Sequence, residues 1–218
     1  ERLAAIEVAE LRKELVVIDL TVPDVNSLLA CFDRRVQVLM LNREDDGLAR
    51  IRQAMEARGG IEALHLITHG APGQIRLGAI ELSAATLAER KDELQAIGAR
   101  LSGSKDILLY GCDVAQGRVG KRFVAALSDL TGADVAASDD LTGSAQQGGD
   151  WELEMVSGTV EAPGIARGLN NYKHVLHTAS VSTEAELNTA IATAVSDGLD
   201  DTITLTGNIA VTAPVSIN

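Results

Sequence analysis

Two stretches decide how this chain folds: Leu64-His65-Leu66-Ile67-Thr68-His69-Gly70 and Ile107-Leu108-Leu109-Tyr110-Gly111-Cys112. Each is a short apolar run that closes on a glycine beside one chemically capable side chain. Runs of this length, rich in β-branched and aliphatic residues and bounded by glycine, read as buried strands. Residues 15–20, 36–41 and 134–138 repeat the pattern, and residues 151–156 give a sixth candidate. Between them the apolar spacing turns helical. A short helix is expected from about Asp24 to Phe32. Leu48, Ile51 and Met55 mark a second, stopped by Gly59-Gly60. Ser83 caps a third that reaches about Ile97, and Val119, Phe123, Leu127 and Leu130 stripe a fourth that Gly132 closes. Residues 74–82 read as a small hairpin turning near Gly78. Uniformly apolar strands separated by amphipathic helices predict an α/β fold with a mostly parallel sheet covered on both faces.

Of the 218 residues 46% are hydrophobic, but only two Phe, two Tyr and one Trp occur, so the core is built from aliphatic side chains. Nineteen basic against thirty-one acidic residues give a net charge of −12. That balance speaks against nucleic acid as a partner, which needs a basic stripe. No apolar run approaches the ~18 residues that cross a bilayer, so no membrane span is expected. Two cysteines, Cys31 and Cys112, are too few for a disulfide framework. The sequence opens on Glu1 and is read as a piece of a longer product.

Charge also divides the chain. Every basic residue, all four histidines and both cysteines precede residue 178. Beyond it lie Glu184, Glu186, Asp197, Asp200 and Asp201 with no cation. The Pro, Gly and Asn of residues 162–171 are loop formers. The expected organisation is therefore an α/β domain over 1–160, a linker over 161–178, and a separate segment over 179–218. In that last segment Thr183 and Glu186 form a capping box ahead of a short amphipathic helix. Residues 202–205 and 208–211 follow as alternating strands, each about one solenoid rung long. The segment resembles the leading helix and first coil of a β-helix of the kind found in secreted bacterial adhesins.

In a parallel sheet, ligands bind beyond the carboxyl ends of the strands, which singles out Asp19, His69, Cys112 and Ser138-Asp139-Asp140. If the strands before His69 and Cys112 are neighbours, a thiol and an imidazole emerge on one rim. An imidazole can take or give the proton that a cysteine nucleophile requires. Gly70 leaves its N–H open, and Gly111 allows a tight turn at the nucleophile. Asp113, next to Cys112, is expected to point away, because a carboxylate turned inward opposes the thiolate. His65 is expected as a core histidine. His174 and His177 lack partners for a metal set, so no metal and no cofactor is assigned. Residues 117–121 lack the spacing of a phosphate loop.

The pairing of an apolar strand plus His-Gly with an apolar strand plus Gly-Cys resembles the caspase–gingipain–clostripain–legumain superfamily of cysteine peptidases. Residues 14–160 more narrowly resemble an uncharacterised domain near the N-termini of giant bacterial surface proteins. The stretches that carry this are residues 69–73, 109–115 and 130–140. The resemblance implies a caspase-like three-layer sandwich, followed by a short helix and the start of a β-helix. It implies His69 as general base and orienter, Cys112 as nucleophile, and the backbone N–H groups of Gly70 and Cys112 as oxyanion donors. It also places the substrate pocket near Ser138, Asp139 and Asp140, where an acidic side chain pointing inward would select Arg or Lys. Gly111 stands where alanine is more usual.

The expected function is a cysteine endopeptidase in a secreted or surface-exposed bacterial protein. Its substrate is a peptide or the chain's own linker at 167–174. The alternative is an inactive capping or interaction module at the start of an adhesin-like β-helix.

Overall fold

The computed structural model describes residues 11–165 and 169–176 and, beyond them, 179–181, 188 and 203–205. The chain divides into two compact units, Glu1–Leu176 and His177–Asn218. In the first, β1 (Glu14–Asp19), β2 (Gln37–Leu41), β3 (Ala63–Ile67), β7 (Asp106–Tyr110), β8 (Asp134–Ala137) and β9 (Met155–Ser157) form one sheet in the order β2-β1-β3-β7-β8-β9. Only the β8–β9 pairing is antiparallel. The two short strands β4 (Gly70–Ala71) and β5 (Gln74–Leu77) join β6 (Ile80–Ser83) in a separate small sheet.

The helices are α1 (Val25–Ala30), α2 (Gly47–Arg58), α3 (Ala84–Glu89), α4 (Lys91–Gly98) and α5 (Gly117–Thr131). One face of the large sheet packs on Leu48, Ile51 and Met55 of α2, Leu94 and Ile97 of α4, and Phe123, Val124 and Leu127 of α5. These are the apolar positions that helical spacing predicts. The other face is covered by Leu28 of α1 together with Trp151, Leu169, Tyr172 and Leu176, four residues outside any α-helix.

Three expectations change. The helix from Ser83 to Ile97 breaks at Arg90, whose φ of −101° and ψ of 17° end α3 and start α4. The Arg90 guanidinium is held there by Asp46 and Glu93. The sixth strand is shorter and later than residues 151–156, and Trp151 turns into the core instead. Residues 161–165 and 169–176 pack on the sheet, where a linker over 161–178 was expected. The backbone N–H groups of Glu161 and Ala162 donate to Asp106 at the start of β7, at 3.2 and 2.8 Å. The N–H of Ile165 donates to the Tyr110 hydroxyl at its end, at 3.1 Å. This strap then buries Leu169, Tyr172 and Leu176 completely or nearly so. Burying each such side chain stabilises by roughly 1.5–3 kcal/mol.

In the second unit β10 (Ala179–Val181) pairs in parallel with β11 (Ile203–Leu205). β11 falls within the strand expected at 202–205. Asn188 is helical, and the rest of the expected helix and the strand at 208–211 lie outside the described residues. Among the described residues no helix is long and apolar enough to cross a membrane.

His65 lies in the middle of β3, wholly buried, with its ring stacked on Tyr110 at 6.0 Å. It is a core histidine, but neither ring nitrogen has a hydrogen-bond partner. Burial, with the nearby Arg12 charge adding to it, pulls its pKa from 6.5 down to about 4. The unfolded chain therefore takes up this proton before the folded one does. Stability associated with His65 is complete above pH 6.5 and is lost as pH falls through that value toward 4, by about 3 kcal/mol. Urea midpoints measured across this window are expected to fall less steeply in His65→Leu than in the unaltered chain.

Candidate active site

Parallel pairing of β3 with β7 sets Ile67 opposite Tyr110. His69 and Cys112 each follow two residues later, so both emerge at the same rim of the sheet. The backbones approach very closely there. A Cβ on Gly70 would lie 2.6 Å from the Cys112 carbonyl oxygen, and one on Gly111 would lie 3.3 Å from the Gly70 Cα. Position 70 therefore excludes a side chain, and position 111 leaves only a tight fit for one, 3.0 Å from the Thr68 carbonyl oxygen. The turn after Cys112 is braced by the residues that follow β8. Asp113 N–H donates to the Asp140 carbonyl at 2.7 Å and Ala115 N–H to the Ser138 carbonyl at 2.8 Å. Asp113 itself holds a left-handed φ of 63°, a strained setting for a side chain with a Cβ. Helix α5 begins only at Gly117, so this turn separates its N-terminus from the thiol.

His69 does not hydrogen-bond to Cys112. Its Nε2 contacts the Thr21 carbonyl at 2.8 Å and its Nδ1 the Leu176 carbonyl at 3.1 Å. A carbonyl oxygen only accepts, so the two contacts are made together only by the ring with both N–H groups in place. Thr21 is fixed by Asp19, whose buried carboxylate accepts from the Thr21 N–H and hydroxyl and, through its other oxygen, from Gly78 N–H at 2.7 Å. Asp19 thus orients the loop that orients His69. The groups that touch the ring are main-chain carbonyls, which the sequence does not reveal.

Cys112 is completely buried. Its sulfur accepts from Thr142 N–H at 3.3 Å and reaches the Thr142 carbonyl at 3.7 Å. Burial pushes the thiol up from 9.0 to about 12. Hydrogen bonding to the backbones of Thr142, Leu176 and Cys112 works the other way, while the Asp113 charge adds to the rise. Asp113 does bond outward, accepting from the Gln116 amide at 2.6 Å, yet its charge still reaches the thiol.

What covers the rim is the end of the strap. Leu176 N–H donates to the Thr142 carbonyl at 2.8 Å and Ser144 N–H to the His174 carbonyl at 2.9 Å, with Val175 bridging Gly143 in antiparallel sense. Tyr172 anchors the approach, its hydroxyl donating to the Pro23 carbonyl at 2.6 Å and its ring lying edge-on to Trp151 at 5.7 Å.

Ser138, Asp139 and Asp140 are held largely within their own turn. The Ser138 hydroxyl donates to the Asp140 carbonyl at 3.1 Å, and Asp139 N–H donates to Glu154 at 2.9 Å. Asp140 belongs to a group of acids with Asp150 and Glu154 whose oxygens lie within 4.8 Å of one another. Burial, then the Glu154 and Asp150 charges, raise the Asp140 carboxyl above its ordinary value. Asp106, Asp134 and Glu161 form a second such group. His174 stands 3.7 Å from Asp24, and His177 lies outside the described residues.

A family profile described as "Domain of unknown function (DUF4347)" matches residues 15–176. The chain belongs to this family. The DUF4347 match ends on Leu176, the residue that also ends the first compact unit. No curated protein and no solved structure matches the chain.

A thiol held at about 12 is ionised to roughly one part in 10⁵ at pH 7. In a Cys31→Ser background, alkylation of Cys112 by iodoacetamide is expected to rise about tenfold per pH unit from 7 to 10. Tyr172→Ala, which loosens the strap, is expected to raise the rate at pH 7 at least about tenfold. A plateau below pH 8 in the unaltered strap would contradict a buried neutral thiol.

Proposed function

We propose that residues 14–176 form a caspase-like cysteine endopeptidase module, with Cys112 as nucleophile and His69 as the acid that protonates the leaving amine. The observation that carries this reading is an extended peptide segment, residues 174–176, paired with residues 142–144 across the rim where the two side chains emerge. Strand-like pairing of a peptide beside a nucleophile fixes the register of its carbonyls, which is the positioning that amide hydrolysis needs. The reaction is acyl transfer through a thioester at Cys112, and the three-layer α/β sandwich serves as its frame. The N–H groups of Gly70 and Cys112 are the proposed oxyanion donors. The module belongs to a secreted or surface-exposed bacterial protein, and the parallel pair β10–β11 starts its β-helix.

One observation favours the alternative of an inactive capping module: the thiol is neutral and sealed from solvent. The two readings separate on a covalent label. Acyloxymethyl ketones derived from Leu, Arg, Lys, Asp and Asn peptides are applied to the whole chain at pH 5–8, and the adduct is mapped by mass. An active module gives an adduct on Cys112 that disappears in Cys112→Ala and forms at least about a hundredfold more slowly in His69→Ala. Absence of any adduct, or one that survives Cys112→Ala, supports the capping module.

A further inference from the structure

The strap end occupies the rim in a particular register, and that register selects one peptide bond. Three main-chain contacts set it. The His174 carbonyl accepts from Ser144 N–H, the Leu176 N–H donates to the Thr142 carbonyl, and the Leu176 carbonyl faces Nδ1 of His69 at 3.1 Å. The same Thr142 backbone contacts the Cys112 sulfur through both its N–H and its carbonyl. Of the strap's carbonyl groups, the one at Leu176 is therefore the one that touches His69, and the N–H of the same residue bonds the Thr142 carbonyl that the sulfur also reaches.

The side chain at that position is equally well defined. Leu176 is 0% exposed and sits in the apolar cluster with Val22, Leu28, Ile67, Cys112 and Tyr172. By contrast Val175, one residue back, is half-buried, and Lys173 is exposed. The position before the reacting carbonyl thus takes an aliphatic residue, seated in an apolar cluster. The Asp140 carboxylate accepts from Ser138 within its own turn. The compact unit also ends at this residue, so a break there leaves its core whole.

We infer that the peptide bond on the carboxyl side of Leu176 is the module's own substrate, and that the site selects an aliphatic residue at that position. This rests on the peptidase reading above. The chemistry balances as follows. The Cys112 proton passes to a water admitted as the strap end lifts, and the Sγ–C bond forms at the Leu176 carbonyl when the strap reseats. The C–N bond to residue 177 breaks as Nδ1 of His69 gives its proton to the leaving nitrogen. A water then loses a proton to Nδ1, its oxygen bonds the carbonyl carbon, and the C–S bond breaks. The sulfur recovers a proton from solvent, and one water is consumed in all.

The test is incubation of the whole chain, followed by intact mass and N-terminal sequencing. The expected result is one new N-terminus at His177, absent in Cys112→Ala. Leu176→Met is expected to cleave within about tenfold of the unaltered rate, and Leu176→Asp at least about a hundredfold more slowly. Because Leu176 is part of the core, His177→Pro serves as the second variant. It keeps Leu176, makes the leaving nitrogen tertiary, and is expected to abolish cleavage while a leucyl acyloxymethyl ketone still labels Cys112. Cys112-dependent cleavage at another bond overturns the assignment and leaves the peptidase reading standing. So does an intact chain whose Cys112 takes the leucyl label. Cleavage that persists in Cys112→Ala, or an intact chain that no such ketone labels, overturns both.

Discussion

The register between β3 and β7 is the constraint on which the rest of the molecule depends. Parallel strands in register deliver the residues that follow them to one rim, and here those residues are an imidazole and a thiol. A slip of one residue would turn every side chain of β3 to the opposite face. Three features lock it. Both strands are buried throughout. His65 stacks on Tyr110 across the pair. The turns beyond them touch so closely that a side chain is excluded at Gly70 and tightly constrained at Gly111.

Around that rim the protein uses main-chain groups more than side chains. His69 is held between two carbonyls, and the sulfur of Cys112 sits against the backbone of Thr142. Main-chain groups borne on braced loops are positioned without the loss of rotamer freedom that long side chains incur. Asp19 braces one such loop through Thr21, and the carbonyls of Ser138 and Asp140 brace another. The buried sulfur stays neutral because desolvation outweighs the hydrogen bonds that favour its charge. In the covered state the thiol is therefore both buried and neutral.

Much of the sheet was legible from the sequence because its strands are uniformly apolar and its helices carry clean stripes. That His69 and Cys112 share one rim was legible because each follows a uniformly apolar strand of a parallel sheet. Thr21 was not, since a backbone carbonyl leaves no mark in a sequence. The break at Arg90 was hidden inside an unbroken helical pattern; there the guanidinium reaches Asp46 across the fold and Glu93 in the next turn. The strap was the largest loss. Pro163, Gly164, Gly168, Asn170 and Asn171 gave residues 161–176 the composition of a linker. Leu169, Tyr172 and Leu176, spaced three and four apart, were the signal that it packs, but too few for a period to stand out.

A segment that pairs along a groove and belongs to the same polypeptide competes with every visitor on unequal terms. Joined by a short covalent path, such a segment acts at an effective concentration on the order of millimolar or higher. A free peptide with comparable contacts gains access only while residues 174–176 are away. The occupancy of this rim is accordingly governed from within the chain, by the aromatic cluster of Tyr110, Trp151 and Tyr172 that seats the strap. The only tryptophan and both tyrosines of the sequence are thus gathered at one clasp, so ultraviolet emission from the indole offers an intrinsic gauge of whether it is shut.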